Sequence, residues 1–358
     1  MYADLTSLCV SPDSTIRDAM SCMDCTRLGI VLVVDDDRRL MGTITDGDMR
    51  RAVLANTDLT QSIDALLARK TGTRYARPIT APVNADRSTY LNLLKRHSIM
   101  QLPLVDGEER VVGLVTLDEF LPDREVPLRA VVMAGGEGSR MRPFTEDVPK
   151  PMLPLGDQPL MEIIIQQLRD AGIKHVNVTT HYKSEKITEH FGDGRNFGVE
   201  IAYVTEDRPL GTAGALGLME VPKETILVIN GDILTQVDFR AMLAFHQEYR
   251  GDLTMAVREY DVRVPFGVVE CQGASVARLT EKPLLKFFVN AGIYLLEPMV
   301  YRYIPNGQRF DMTDLIQRLL DEGRRVVSFP IREYWLDIGL PDDYLKAQID
   351  VKSGKSSR

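Results

Sequence analysis

The sequence predicts an α/β protein with a mostly parallel sheet carrying helices on both faces, preceded by a smaller α+β unit made from an internal repeat. Three observations carry this. From Ala130 onward, short apolar runs alternate with amphipathic helical segments, the pattern of parallel strands joined by helical crossovers. Ahead of that point one pattern occurs twice, and a unit repeated side by side buries a sheet face that a single copy would leave bare. Between the two regions lies PDREVPLR, Pro122 to Arg129, charged and with two prolines, which disfavour helix and mark a linker.

Composition sets the bounds. A chain of 358 residues, 44% hydrophobic and 26% charged, fits two ordinary globular units. A net charge of -8 argues against a nucleic-acid partner, which a basic face would serve. No apolar run approaches the roughly 20 residues that span a bilayer, so no membrane partner is expected. The opening MYADLTSLCV lacks the charged start and apolar run of a secretory signal. The four cysteines fit a reducing cytoplasm better than a disulfide framework. Cys22 and Cys25 form a lone C-x-x-C on a helix expected over Thr15 to Cys25, with no second ligand pair at metal spacing.

The front repeat spans residues 5–58 and 76–122, within a unit ending at 122. One copy reads IVLVVDDDRRLMGTITDGDMRRAVL and the other MQLPLVDGEERVVGLVTLDEFL. Asp35, Gly42, Thr45 and Asp48 match Asp106, Gly113, Thr116 and Glu119 at a constant offset. Each copy predicts a β-hairpin turning at DDDRR or DGEER, then a threonine and an acid opening a helix. TIRDAMSCM and STYLNLLKRH give an amphipathic helix ahead of each hairpin. Thr and an acid three residues on can form a capping box without any ligand, or can hold one.

After the linker at 123–128, the second unit runs over 129–350 and a mobile tail over 351–358. AVVMAG predicts a buried strand. PLMEIIIQQLRDAGI, Pro159 to Ile173, predicts a helix with proline near its start and glycine past its end. HVNVTT is a strand, SEKITEHFG a helix, GVEIAYVTE and TILVINGD further strands, RRVVSFPI a strand and PDDYLKAQIDVK a helix.

The first of these strands runs into MAGGEGSRMRPFTEDVPKPM, Met133 to Met152. The loop is neither a dinucleotide fingerprint, because Met141 stands where a third glycine is needed, nor a Walker loop, because no G-K-[ST] follows. Its glycines still let backbone amides converge on an anion. Arg140 supplies a planar charged fork, and Lys150 is fixed between Pro149 and Pro151. VINGD ends a buried strand in Asp232, and WLDIG places Asp337 in a turn. Two acids beside a cationic glycine loop suit Mg²⁺ on nucleotide phosphates.

The front region resembles a pair of CBS domains, on G-T-I-T-D-G-D and G-L-V-T-L-D-E. That resemblance implies a regulatory nucleotide at Thr45 and Asp48 and at Thr116 and Glu119, the last standing where the family usually has Asp. It also implies a homodimer or larger homo-oligomer. The second region resembles the sugar-1-phosphate nucleotidyltransferases over Arg129 to about Asp350. The motifs are G-x-G-S-R-M-R-P-F-T-x-x-x-P-K-P-M, PLGTAGAL, NGD, EKP, VNAGIY and W-x-D-I-G. The implied fold is Rossmann-like, of the GT-A kind. Arg140, Lys150, Asp232 and Asp337 would then be catalytic, with Mg²⁺ on Asp232 and Asp337. The nucleotide would lie on Ala134, Gly135, Gly136, Gly138, Ser139, Gly211, Thr212 and Asp232. The sugar phosphate would lie on Gly231, Glu281, Lys282, Asn290 and Gly292. The joined architecture most resembles glucosamine-1-phosphate guanylyltransferases of nonulosonic (legionaminic) acid pathways, using GTP; mannose- and heptose-1-phosphate guanylyltransferases look similar. Guanine needs an acceptor for its N1–H and 2-amino group, and Glu206, just before PLGTAG, is a candidate, as is a place for His181 in the lining. A nucleotide-sensing binding protein without turnover is the rival reading.

Overall fold

The structure is a computed structural model describing residues 5–73, 75–120 and 126–355. The chain divides into two compact units, Met1–Arg124 and Glu125–Arg358.

In the first unit each repeat is a three-stranded sheet. Cys9–Val10, Ile30–Val34 and Leu40–Thr45 form one, and Ala81–Pro82, Gln101–Val105 and Val111–Thr116 the other. Both hairpin turns close on an aspartate. Asp35 accepts the amides of Asp37 and Arg39 at 3.0 and 2.8 Å, and Asp106 those of Glu108 and Arg110 at 2.9 Å each. This is the local chemistry that makes Asp a turn former. The Ile16–Thr26 helix starts at Thr15, whose hydroxyl and Asp18 form a capping box. It covers Val31, Val33 and Ile44. The two repeats share a core in which Leu8, Ile30 and Leu32 meet Val111 and Leu114. The second copy differs from its expectation. After Thr116 only a 3-10 turn, Leu117–Glu119, is seen, and residues 121–125 lie outside the described part.

The second unit is built on a seven-stranded sheet. Its order is Glu200–Thr205, His175–Thr180, Arg129–Met133, Ile226–Asn230, Leu284–Leu296, Leu253–Arg263, Val326–Ile331. Six strands are parallel and Leu284–Leu296 runs against both its neighbours. The inner strands are apolar on both faces because helices cover both. On one face Val131, Val228 and Leu253 pack with Leu315 and Leu319 of the Met312–Asp321 helix.

The single antiparallel strand has a geometric result. Only its end, Ile293–Leu296, pairs with Ile226–Ile229. Its other half, Leu284–Asn290, pairs with Val257–Arg263, of which Glu259–Arg263 runs on past the last parallel pairing at Arg258. A two-stranded ribbon therefore rises from the same edge of the sheet as the glycine loop. The Val268–Gln272 and Ser275–Thr280 hairpin lies between its two strands in the chain.

Two boundaries shift. Of the expected linker at 123–128, residues 123–125 lie outside the described part. Val126 and Leu128 are buried, and the Val126 amide donates to the Gly172 carbonyl, so these residues pack as part of the second unit. The expected tail from 351 begins inside the Pro341–Lys352 helix, where Val351 packs against its neighbours, and amides through Lys355 keep helical bonds. Residues 356–358 lie outside the described part.

Candidate active site

The glycine loop begins where the Arg129–Met133 strand stops. The Ala134 amide is spent on the Thr179 carbonyl at 3.1 Å, which ties the loop to the neighbouring strand. The next four amides, Gly135 to Gly138, donate to nothing among the described residues. Consecutive free amides in such a loop form a concave anion site. Gly138 has φ +61°, and a Cβ there would lie 3.0 Å from Thr145 and 3.2 Å from Lys150. Thr145, buried, donates its hydroxyl to the Gly138 carbonyl at 2.8 Å and fixes the far end of the loop. Arg140 is exposed at the mouth and has no protein partner among the described residues.

Lys150 is buried, in a 3-10 turn between its two prolines, and its Nζ sits 2.5 Å from Asp232 Oδ2. Asp232 is placed by Gly231, whose amide donates to the Met133 carbonyl at 2.9 Å; a Cβ at Gly231 would stand 2.8 Å from that oxygen. Only glycine permits so close a backbone approach. Asp337 ends the Trp335–Asp337 strand, which pairs antiparallel with Ile233–Thr235, Asp337 opposite Ile233. The Ile338 amide donates to the Asp232 carbonyl at 3.0 Å. The two acids are thus neighbours on one short ribbon. Partial burial and the Asp232 carboxylate push the Asp337 carboxyl above its ordinary range, with Lys150 and Arg140 pulling the other way. The second oxygen of Asp232, Oδ1, is buried without a protein partner. An orphaned carboxylate oxygen beside a second acid suits a hard divalent cation that completes its shell with phosphate oxygens and water. The residues fit Mg²⁺. No cluster of three or more metal-ligating side chains occurs among the described residues.

These groups surround a cleft of about 190 Å³ lined by Ala134, Gly136, Gly138, Ser139, Arg140, Lys150, Gly231, Asp232 and Gly339. The PLGTAG segment, with the expected nucleotide residues Gly211 and Thr212, does not line this cleft and forms a separate turn. Gly211 has φ +79°, and a Cβ there would stand 2.4 Å from Asp311 Oδ1. Asp311 accepts the Thr212 amide at 3.1 Å, while the Thr212 hydroxyl accepts the Met312 amide at 2.8 Å. The Phe310 carbonyl takes both the Ala213 and Gly214 amides. Thr212 is therefore engaged through backbone and side chain in clamping the turn. Glu206 links the glycine loop to this turn. Its Oε2 accepts the Leu210 amide at 2.8 Å, and its Oε1 stands 2.4 Å from where a Gly135 Cβ would be. Burial pushes its carboxyl up, the Leu210 bond and His181 pulling it down. His181 contacts the Glu206 carbonyl through Nδ1 at 2.7 Å.

The expected sugar-phosphate residues are more dispersed. Gly231 lines the cleft. Gly292, φ +71°, lies against Asn230, whose Oδ1 is buried without a partner. Asn290 donates to the Tyr294 hydroxyl at 2.7 Å and accepts the Gly292 amide at 3.1 Å, so both ends of its amide serve the fold here. Glu281 and Lys282 are exposed at the far end of the ribbon, just before Leu284, and do not line this cleft. Sequence reasoning did not single out Thr145, Thr179 or Asp311. Thr145 stands inside the quoted motif, but Asp311 acts on a residue 99 positions away, with no local signal.

In the first unit, Asp48 is already satisfied. It accepts the Thr45 amide and hydroxyl at 2.8 and 2.9 Å, Arg51 at 2.7 Å and Lys70 at 2.6 Å. Thr116 and Glu119 form the equivalent capping box, the Thr116 amide 3.2 Å from Glu119. Cys22 donates to the Ser7 carbonyl at 2.8 Å.

An anion nest, two cations and two acids at the carboxyl edge of a mostly parallel sheet define a phosphate-handling α/β domain. The chain belongs to the nucleotidyl transferase family, whose profile matches residues 129–354. The CBS domain profile matches residues 4–55 and 75–122. A mannose-1-phosphate guanylyltransferase of Mycobacterium tuberculosis is 36% identical over 234 residues, covering 63% of this chain and 65% of that protein. This chain thus spans slightly less than two thirds of the mycobacterial protein's length. A D-glycero-alpha-D-manno-heptose 1-phosphate guanylyltransferase of Aneurinibacillus thermoaerophilus is 31% identical over 229 residues, covering 63% of this chain and 99% of that protein. Among solved structures, a candidate glucose-1-phosphate thymidylyltransferase from Bacillus anthracis superimposes with a TM-score of 0.52 at 26% identity, covering 62% of this chain and 94% of the other. No helix among the described residues is long and apolar enough to cross a membrane.

Proposed function

We propose that the second unit transfers a guanylyl group from GTP to a sugar-1-phosphate, glucosamine-1-phosphate for a nonulosonic acid pathway, releasing pyrophosphate. The observation that carries this reading is one cleft lined by Gly136 and Gly138 of the free-amide loop, Arg140, Lys150 and Asp232, with Asp337 next to Asp232 on the adjoining short ribbon. A sugar-phosphate oxygen attacks the α-phosphorus, and the bond to the β-phosphate breaks. The attacking phosphate is already ionised near neutrality, so no general base is required. The protein's task is to bring two polyanions together in line and to offset the charge that develops. The loop amides cradle the triphosphate. Arg140, unpaired at the mouth, and Lys150, held ready by Asp232, balance the departing pyrophosphate. Mg²⁺ on Asp232 and Asp337 would neutralise phosphate charge when bound.

Glu206 supports guanine as the base. Guanine offers two adjacent donors, and a carboxylate offers two acceptors; a uracil or thymine edge alternates donor and acceptor and suits an amide better. Glu206→Gln should therefore lower the GTP-to-UTP ratio of kcat/KM by about tenfold or more. The two guanylyltransferase relatives act on mannose and heptose phosphates by their names, and these sugars are the alternatives to glucosamine-1-phosphate. Pyrophosphate release across GTP, UTP and dTTP, each with glucosamine-, mannose- and heptose-1-phosphate, tests both choices. Turnover with another pair replaces the substrates named here. Silence with every pair leaves a nucleotide-sensing binding protein.

A further inference from the structure

The ribbon beside the site presents a face that is exposed among the described residues. Opposite residues of an antiparallel pair share a face. Tyr260 lies opposite Phe287, and Val262 opposite Leu285. All four are exposed, by 56, 52, 38 and 39%. A two-stranded ribbon with one wholly apolar face is marginal in water by itself.

Its outer edge is open as well. Val326–Ile331 pairs with the Leu253–Arg263 strand only as far as Arg258, so Glu259–Arg263 has no strand beyond it among the described residues. The Val264 amide turns inward to the Pro283 carbonyl at 3.0 Å. By alternation, Glu259, Asp261 and Arg263 turn their backbone groups outward. Asp261 and Arg263 are exposed, and neither has an ion-pair partner among the described residues.

We propose that this edge pairs with the same edge of a second copy of the chain, about a twofold axis at Val262. The charge pattern selects the occupant and the register. A contact between identical edges must be complementary to itself. Centring the pair on Tyr260 sets Glu259 opposite Asp261, and centring it on Asp261 sets that residue opposite itself. Centring on Val262 places each Asp261 opposite the other copy's Arg263, Val262 opposite Val262 and Tyr260 opposite Val264. Pro265, which has no amide to give, then meets Glu259 with only its carbonyl. The two apolar faces join into one continuous sheet surface.

The test is the mass of the full chain by sedimentation equilibrium at micromolar concentration. The proposal expects a dimer of the 40.2 kDa chain. Arg263→Asp sets two like-charge pairs across the axis and should weaken the dimer about tenfold or more. Asp261→Arg should do the same, and the double variant D261R/R263D should return to within about threefold of wild type, which a general loss of folding would not do. Val262→Lys, placing like charges at the axis, should abolish the dimer. A monomeric wild type overturns the proposal, the ribbon then being covered within the chain. A dimer unchanged by Val262→Lys and Arg263→Asp overturns it in favour of assembly through the first unit. Failure of the double variant to recover overturns the Val262 register.

Discussion

Lys150 and Asp232 stand 82 residues apart in sequence and 2.5 Å apart in the fold. A buried ammonium needs a carboxylate, and here the same carboxylate keeps its other oxygen for a different task. Lys150→Ala and Asp232→Asn should each lower kcat by about 10²- to 10³-fold, the cost of one preorganised electrostatic contact; circular dichroism should show the fold retained. Near-wild-type kcat/KM in either variant would remove that residue from the mechanism. Asp337 makes a prediction of opposite sign for stability. Its carboxyl is raised in the folded state, so the folded protein holds that proton more tightly than the unfolded chain. The stability this gives is present at low pH and lost as pH rises through the raised value. Asp337→Asn should therefore raise Tm near neutral pH, lose that advantage below the carboxylate range, and lose turnover throughout. At this scale the motif residues were legible because their chemistry is local: glycines, a proline-flanked lysine and strand-end acids. Thr145 and Asp311 were not, because what they hold is set by the fold.

The PLGTAG turn shows what an element can need from a distant one. The Met312–Asp321 helix begins at Asp311, which also takes the Thr212 amide, while Thr212 takes the Met312 amide. Gly211→Ala forces a positive φ and meets Asp311 and Phe310 at 2.4 and 2.8 Å. It should cost about 1–2 kcal/mol from backbone conformation alone, with a further increment from the clash. The KM for the nucleotide should rise more than that for the sugar phosphate, measured by varying each in turn. Equal changes in both would count against a nucleotide-side role for the turn. The parallel strands and their helices could be read from apolar runs and glycine stops. The long ribbon could not. LTMAVREYDVR turns from apolar to charged half-way along, because its first half is inside a covered sheet and its second half stands outside it.

For the whole molecule, two units with separate cores follow from the shift in pattern near residue 125. The first unit's repeat was legible in its matched turns and caps. That Lys70 closes on Asp48 was not, since Lys70 belongs to a short helix, Asp64–Lys70, between the repeats. Burial alone would push the Asp48 carboxyl up; Lys70, the Thr45 amide and Arg51 outweigh it and hold it below the ordinary range. Its contribution is present at neutral pH and lost as pH falls through the lowered value. Asp48→Asn should destabilise the first unit by roughly 3 kcal/mol at pH 7 and flatten its acid unfolding profile, read by hydrogen exchange on residues 30–54. Whether a nucleotide ribose reaches Asp48 is tested by calorimetry with adenine and guanine nucleotides on the full chain and on Lys70→Ala; binding that Lys70→Ala tightens places the ribose in competition with Lys70, and silence in both leaves Asp48 as a cap and ion-pair partner.

The lone antiparallel strand gives this sheet a division of labour. The loops at the ends of the parallel strands carry the charged groups, whose spacing is bound to the backbone of the core. The ribbon carries its side chains beyond that edge, where few core bonds constrain them. Substitutions on it should therefore disturb the glycine loop and the two acids little.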